Sequence, residues 1–141
     1  MNNMNDDELR QAMATYELLK KQLDAMSQQL NFFQLSLEET MRAYSTLDAF
    51  AKAKEGEEIL VPAGASSFVK ATITSERKAI VGIGNKISVD MDIEAAAEYM
   101  KTSGEEVQAA IKKLSETISE TDTKAKALAV SIQNEYDRRQ K

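Results

Sequence analysis

Two stretches of this 141-residue sequence have the Ser-x-x-Lys spacing that some acylating hydrolases use. They run from Ser67 to Lys70 and from Ser75 to Lys78. The first falls in a predicted strand and the second in a predicted turn, and no partner motif follows either of them. Because a nucleophilic serine needs a positioned base, neither stretch predicts catalysis, and we expect that the protein is not an enzyme.

Ligands for metals and cofactors are equally scarce. The sequence has no His and no Cys, which are the commonest transition-metal ligands, and His is also the usual general base near neutral pH. Gly82-Ile83-Gly84 lacks the third glycine of a dinucleotide-binding loop. Asp90-Met91-Asp92 resembles the start of a calcium loop, but no Gly or later Glu has the required spacing. We therefore expect no cofactor, no metal and no disulfide.

Charge and composition disfavour nucleic acids and membranes as partners. The net charge of −5, from 18 basic and 23 acidic residues, disfavours the phosphate backbone of a nucleic acid. No apolar run approaches the length that spans a bilayer, and the first residues lack the basic and apolar regions of a signal peptide. One Pro, five Gly and 6% aromatic residues are typical of a helical chain with a thin core.

Two segments, residues 1–54 and 91–141, carry a sustained heptad pattern. Apolar residues recur at alternating steps of three and four from Leu9 to Ala51 and again from Ile93 to Ile132, followed by Glu135 and Arg139. Such a repeat predicts the seam of a coiled coil, so each segment is predicted to be one long helix. Asp6 and Asp7 are expected to cap the first helix, and Asp90 or Asp92 the second.

The two predicted helices can pair antiparallel in a definite register. Pairing residues whose numbers sum to 144 places apolar seam residues opposite one another and puts Thr40 opposite Gly104, so that the two weakest layers coincide. In the same register Leu9 faces Glu135, and Arg139 has no apolar partner. We therefore expect the seam to loosen toward the free ends, here called the tip.

The middle segment, residues 55–90, changes to the alternation of period two that predicts strands. The predicted strands are Glu57–Val61, Ser67–Thr74, Lys78–Ile83 and Lys86–Val89. Pro62-Ala63-Gly64 is expected to end the first strand, and Gly84-Asn85 to form a hairpin turn. The predicted fold class is thus mainly α with a small β segment: a long antiparallel coiled-coil helical hairpin, connected by two β-hairpins that complete an intersubunit β-barrel, in one structural domain.

The β segment contains more apolar residues than so small a unit can bury. We expect these side chains to mediate oligomerisation, because isolated two-stranded hairpins are barely stable and their edges are open to other strands. The predicted oligomerisation residues are Ile59, Val61, Phe68, Val69, Ala71, Ile73, Ile80, Val81, Ile83, Ile87 and Val89.

These residues and their order resemble the α subunits of the prefoldin family, most closely the archaeal type. The resemblance is carried by Ile59-Leu60-Val61-Pro62-Ala63-Gly64, Ser67-Phe68-Val69-Lys70-Ala71 and Val81-Gly82-Ile83-Gly84 between two long coils. It implies a cytoplasmic hexamer of two α and four β-type subunits, with a central double β-barrel and six coiled coils. It also implies an ATP-independent chaperone that holds unfolded proteins at the coil tips and transfers them to a group II chaperonin.

Apolar residues near the tip are the candidates for contact with unfolded client proteins. They are Met4, Leu9, Met13, Leu18, Val130, Ile132 and Tyr136. Flexible, polarizable Met side chains suit the binding of varied apolar surfaces. Scattered exposed apolar residues are also normal on soluble proteins, and core packing explains others, so this assignment remains one of two interpretations.

Two other functions compete with a chaperone. A static tether or spacer would use its coil for length alone, but it would be expected to end in polar residues. An enzyme's helical arm that binds tRNA would need a basic stripe. Residues 1–52 have a net charge of −3 and residues 91–141 a net charge of −2, which disfavours the arm.

Overall fold

The computed structural model describes residues 3–141 as two long helices separated by four strands. α1 spans Asp6–Lys52, β1 Glu58–Gly64, β2 Ser67–Thr72, β3 Lys78–Gly84, β4 Ile87–Asp92 and α2 Ile93–Arg139. This order confirms the predicted fold class, whereas closure of a barrel is a property of an assembly and stays a prediction. The first two residues of the predicted segment 1–54 lie outside the described residues.

The chain packs as two units. The helical unit comprises Met1–Gln34, as far as it is described, and Ala109–Lys141, and the sheet unit comprises Leu35–Gln108. Within each unit the heptad positions are protected. All seam residues of α1 from Leu9 to Ala51 are buried or half-buried, as are those of α2 from Ile93 to Glu135. The predicted seam is therefore confirmed, with Arg139 as its one exposed position.

In the sheet unit, α1 and α2 approach each other closely at a glycine. A Cβ atom added to Gly104 would lie 3.3 Å from Met41 Sδ and 3.7 Å from Thr40 Cγ2. A larger residue would have to displace one of these side chains, which is why a small residue suits this position. The predicted pairing of Thr40 with Gly104 is confirmed.

The predicted helix cap and the predicted loose tip are wrong. Asn5, not Asp6 or Asp7, caps α1: Glu8 N donates to Asn5 Oδ1 over 2.8 Å, and Asn5 N donates back to Glu8 Oε1 over 3.3 Å. At the tip, Leu9 is only 8% exposed and Glu135 only 4%. The end of the seam is therefore closed by a buried carboxylate, which is stabilised by ion pairs described below.

The ends of the strands and the position of the second turn differ from those predicted from the sequence pattern. β1 continues through Pro62, which pairs with Phe68, and a register shift before Gly64 absorbs the extra residue. β2 ends two residues earlier than predicted, at Thr72. The second turn is Asn85-Lys86 and not Gly84-Asn85. Residues Ala65, Ser66, Asn85 and Lys86 all have positive φ, as the tight two-residue hairpin turn requires.

The two hairpins are structural repeats of each other, offset by 20 positions. β1 starts at Glu58 and β3 at Lys78, while β2 starts at Ser67 and β4 at Ile87. The residue that follows each hairpin also makes an equivalent backbone hydrogen bond. Ile73 N donates to Glu57 O and Ile93 N donates to Arg77 O, both over 2.9 Å, and both isoleucines are buried. The repeat yields two separate two-stranded antiparallel sheets.

Arg77 joins the two helices within the sheet unit. Its guanidinium donates to Ala53 O over 2.9 Å, Ala51 O over 2.6 Å and Phe50 O over 3.2 Å. These carbonyls lie at the C-terminal end of α1, where helical carbonyls lack partners and a cation is favoured. Arg77 O accepts the first amide of α2, so this one residue contacts both the end of α1 and the start of α2.

Candidate functional site

One candidate surface lies on the hairpins. Its members are large apolar side chains that the chain leaves exposed, here called the sheet surface: Leu60, Phe68, Val69, Ile80, Ile83 and Ile87. Ile80 is the most exposed of them at 79%, and it pairs with Asp90 across the hairpin. Because each sheet has only two strands, its outer edges carry unpaired backbone groups beside these side chains.

The residues predicted for oligomerisation divide between exposed and protected positions. Phe68, Val69, Ile80, Ile83 and Ile87 are exposed and belong to the sheet surface. The others are protected within the chain: Ile73 and Val81 are buried, and Ile59, Val61, Ala71 and Val89 are half-buried. Sequence reasoning missed Leu60, which is 59% exposed. The sequence feature that could have revealed Leu60 is the unbroken run Ile59-Leu60-Val61, which makes both faces of β1 apolar.

A groove of about 410 Å³ lies where α1 of the sheet unit faces the hairpins. Its apolar lining includes Leu47, Val61, Ile80 and Met100, and Arg42 lies among its polar residues. The groove continues the sheet surface, since Ile80 belongs to both. The arrangement suits the docking of an apolar strand or hairpin.

The second candidate surface lies near the tip, in the helical unit. Met13, Leu18, Val130 and Tyr136 are exposed, and we call them the tip surface. Two of them are in contact, because the Tyr136 hydroxyl donates to Met13 Sδ over 3.5 Å. Of the other predicted client-contact residues, Met4 and Ile132 are half-buried, and Leu9 is buried and does not contribute exposed surface.

A cluster of charged residues closes the tip, and sequence reasoning missed it. Glu135 Oε1 accepts from Arg138 Nη2 and from Arg139 Nε, the latter over 3.0 Å. Glu135 Oε2 accepts from Arg138 Nε over 3.1 Å and from Met4 N over 3.3 Å. Arg139 Nη1 also donates to Asp6 Oδ1 over 2.7 Å. The signal was a Glu on the seam followed by Arg three and four residues later, a spacing that pairs charges on a helix.

Hydrogen bonds from Arg138 and Arg139 lower the pKa of Glu135 to about 2, against the opposing effect of its burial. The lowered pKa means that folding favours the charged carboxylate. The cluster therefore stabilises the tip fully above the ordinary glutamate pKa of 4.5, and this contribution falls as the pH drops toward about 2.

We expect acid to release Met4 from Glu135 only as the pH approaches about 2, where the carboxyl of the folded chain becomes protonated. The Met4 amide resonance should stay nearly constant until then and move as the pH passes through about 2, because a protonated carboxyl is a weaker acceptor. In the Glu135→Gln variant the same resonance should lack this titration. An identical titration in parent and variant would show that another group controls the tip.

In the two Ser-x-x-Lys motifs, Ser67 and both lysines contact residues outside the motif. Ser67 Oγ donates to Gly64 O over 2.6 Å, whereas Lys70 Nζ lies 4.0 Å from Glu58 Oε1. Lys78 Nζ lies 3.6 Å from Asp92 Oδ1. Within residues 3–141, no group of three acidic side chains is close enough to share a metal ion. No described helix carries an apolar stretch long enough to cross a bilayer.

Comparison with known proteins agrees with this fold. The Prefoldin subunit family matches residues 19–138. Prefoldin subunit alpha of Pyrococcus horikoshii is 31% identical over 130 residues, which cover 92% of this chain and 88% of the relative. Two solved structures share the fold, each with a TM-score of 0.59. The filamentous PFD of Methanocaldococcus jannaschii is 20% identical and aligns over 86% of this chain and 98% of its own. The prefoldin beta subunit of Thermococcus strain KS-1 is 18% identical and aligns over 95% and 96%.

The family match spans most of the chain and includes the hairpins and most of both helices. It covers the whole sheet surface and, of the tip surface, Val130 and Tyr136. The relatives matched in sequence over most of their length are archaeal α-type subunits. The chain therefore belongs to the prefoldin family, a family of chaperone subunits that assemble into oligomers and are not known as enzymes.

Proposed function

We propose that this chain is the α-type subunit of an ATP-independent holdase chaperone in the cytoplasm. Two copies would assemble with four β-type subunits through the sheet surface. The tips of the coiled coils would capture unfolded proteins, and a group II chaperonin would then compete for the same exposed client surface and receive them. Neither nucleic acid nor a membrane takes part.

The observation that carries the proposal is the presence of two separate exposed apolar surfaces on one small chain. The sheet surface lies beside open strand edges, which suits association with other subunits. The tip surface is small and lies beside charged residues, which suits weak contact with many different clients. Several tips acting together would hold a client by avidity while each contact remains exchangeable.

A coiled-coil tether assembled through its β segment is the alternative. It would use the sheet surface in the same way, so assembly does not separate the two functions. Its tip would need only polar residues. The exposure of Leu18 at 55% and Val130 at 59% therefore favours the holdase.

A light-scattering assay tests the proposal. The chain, assembled with β-type subunits, is mixed with a chemically denatured enzyme that aggregates on dilution. We expect an amount of complex nearly equal to that of the denatured enzyme to suppress aggregation without any nucleotide, because binding needs only apolar contact. Normal assembly with no protection would favour the tether and overturn the holdase.

A further inference from the structure

Residues 3–5, which we call the strap, precede α1 and lie against the end of α2. Met4 N donates to Glu135 Oε2 over 3.3 Å, and Met4 O accepts from Arg139 Nη2 over 3.1 Å. Both backbone polar groups of one residue are thus bound by side chains of α2. The hydrogen bonds do not involve the side chain of Met4, so they would form with almost any residue at this position.

The two α2 side chains are also held by contacts that do not involve the strap. Glu135 is the one polar or charged residue that the structure buries among residues 3–141, and Arg138 and Arg139 both bond to it. Asp6 orients the same Arg139 guanidinium. A fixed acceptor and a fixed donor, spaced to match the amide and carbonyl of one residue, form a preorganised site for extended backbone.

Beside Glu135 and Arg139 there is space for a peptide segment longer than the strap. A groove of about 540 Å³ is lined by the strap residues Asn3 and Met4 and by polar residues of α2, including Ser131 and Asn134. Hydroxyl and amide side chains offer further donors and acceptors to a peptide backbone.

We propose that Glu135 and Arg139 form a binding site for the extended backbone of an unfolded polypeptide, which the strap occupies when no client is present. Every residue of an unfolded chain other than Pro carries the same amide and carbonyl groups, so such a site recognises a client without regard to its sequence. The apolar tip surface and this backbone site would act together. The proposal rests on the proposed holdase function and adds an internal competitor to it.

Two substitutions of one strap residue test the competition. Met4→Pro removes the amide that donates to Glu135, whereas Met4→Leu keeps it and is the matched control. The probe is an unstructured peptide of Leu and Ser, with an analogue N-methylated at alternate amides. The full chain with Met4→Pro should bind the plain peptide about two- to tenfold more tightly than the Met4→Leu chain, as loss of one competing hydrogen bond implies. The N-methylated analogue should gain much less.

The outcomes separate the two proposals. Equal affinity of both variants for the plain peptide, or an equal gain for the N-methylated analogue, would overturn backbone recognition by this site and leave the holdase function intact. Failure of every variant to bind either peptide would overturn both proposals. Thermal unfolding of both variants, followed by circular dichroism, checks that the change at position 4 leaves the coiled coil folded.

Discussion

A chain carrying Phe68→Asp and Ile80→Asp will fail to assemble with β-type prefoldin subunits while its helical content stays near that of the parent. Both side chains are exposed, at 58% and 79%, so the chain itself does not need them buried. An interface that covers them would have to bury two carboxylates without partners. Each should cost about 3 kcal/mol, or about 100-fold in affinity. Native mass spectrometry of the mixture and far-UV circular dichroism measure the two effects.

The structure also decides which residues are suitable for this experiment. Ile73 was predicted to mediate oligomerisation, but it is buried within the chain, so an Asp there would disturb folding as well as assembly. Ser66→Asp with Asn85→Asp is the matched control, because both residues lie in exposed hairpin turns and the charge change is the same. A complex of the same mass as the parent's, formed by the Phe68 and Ile80 variant, would mean that assembly uses another surface.

A second variant should assemble normally but lose most of its ability to bind unfolded clients. Replacing Met13, Leu18, Val130 and Tyr136 by Ser removes the exposed apolar side chains of the tip surface. At about 25 cal/mol per Å² of apolar area, each side chain supplies on the order of 1 kcal/mol per tip, so single changes should weaken client protection only several-fold. The fourfold variant should lose most of it, because avidity multiplies the loss over several tips. Aggregation of a denatured enzyme is the measurement.

The chain offers a control that is matched in chemistry. Phe32 and Leu35 are exposed apolar residues of α1 outside the tip surface, so changing both to Ser should leave protection intact, in contrast to Leu18 with Val130. Binding should also survive moderate salt, because screening weakens charge interactions and not apolar contact. If the Phe32 and Leu35 variant lost as much protection, or if protection collapsed with salt, apolar avidity at the tip would be the wrong mechanism.

Several features were predictable because they depend on local periodicity. A heptad repeat marks the buried side of a helix wherever the helix lies, and the protected seam follows it from Leu9 to Ala51. The same repeat placed Leu18, Phe32, Leu35 and Val130 outside the seam, and all four are exposed. Matching the two seams was enough to bring Thr40 opposite Gly104. The hairpins were predictable as pairs of strands, but not to the residue, because the strand ends and the turn are set by the register between paired strands, which alternation along a single strand does not specify.

The sequence by itself determined the two helices, their shared seam and the presence of two hairpins, since each follows from patterns within a few neighbouring turns or strands. Only the tertiary structure decided the rest. Glu135 accepts from Met4, which is 131 positions away along the chain, and the carbonyls at the C-terminal end of α1 accept from Arg77, which is more than 20 positions beyond them. A buried Glu in a seam looks unfavourable until its partners Arg138, Arg139 and the Met4 amide are in place. The spacing of the two arginines is a local pattern, whereas the contacts of Met4 and Arg77 are fixed by distances between segments remote in sequence, and no local pattern encodes them.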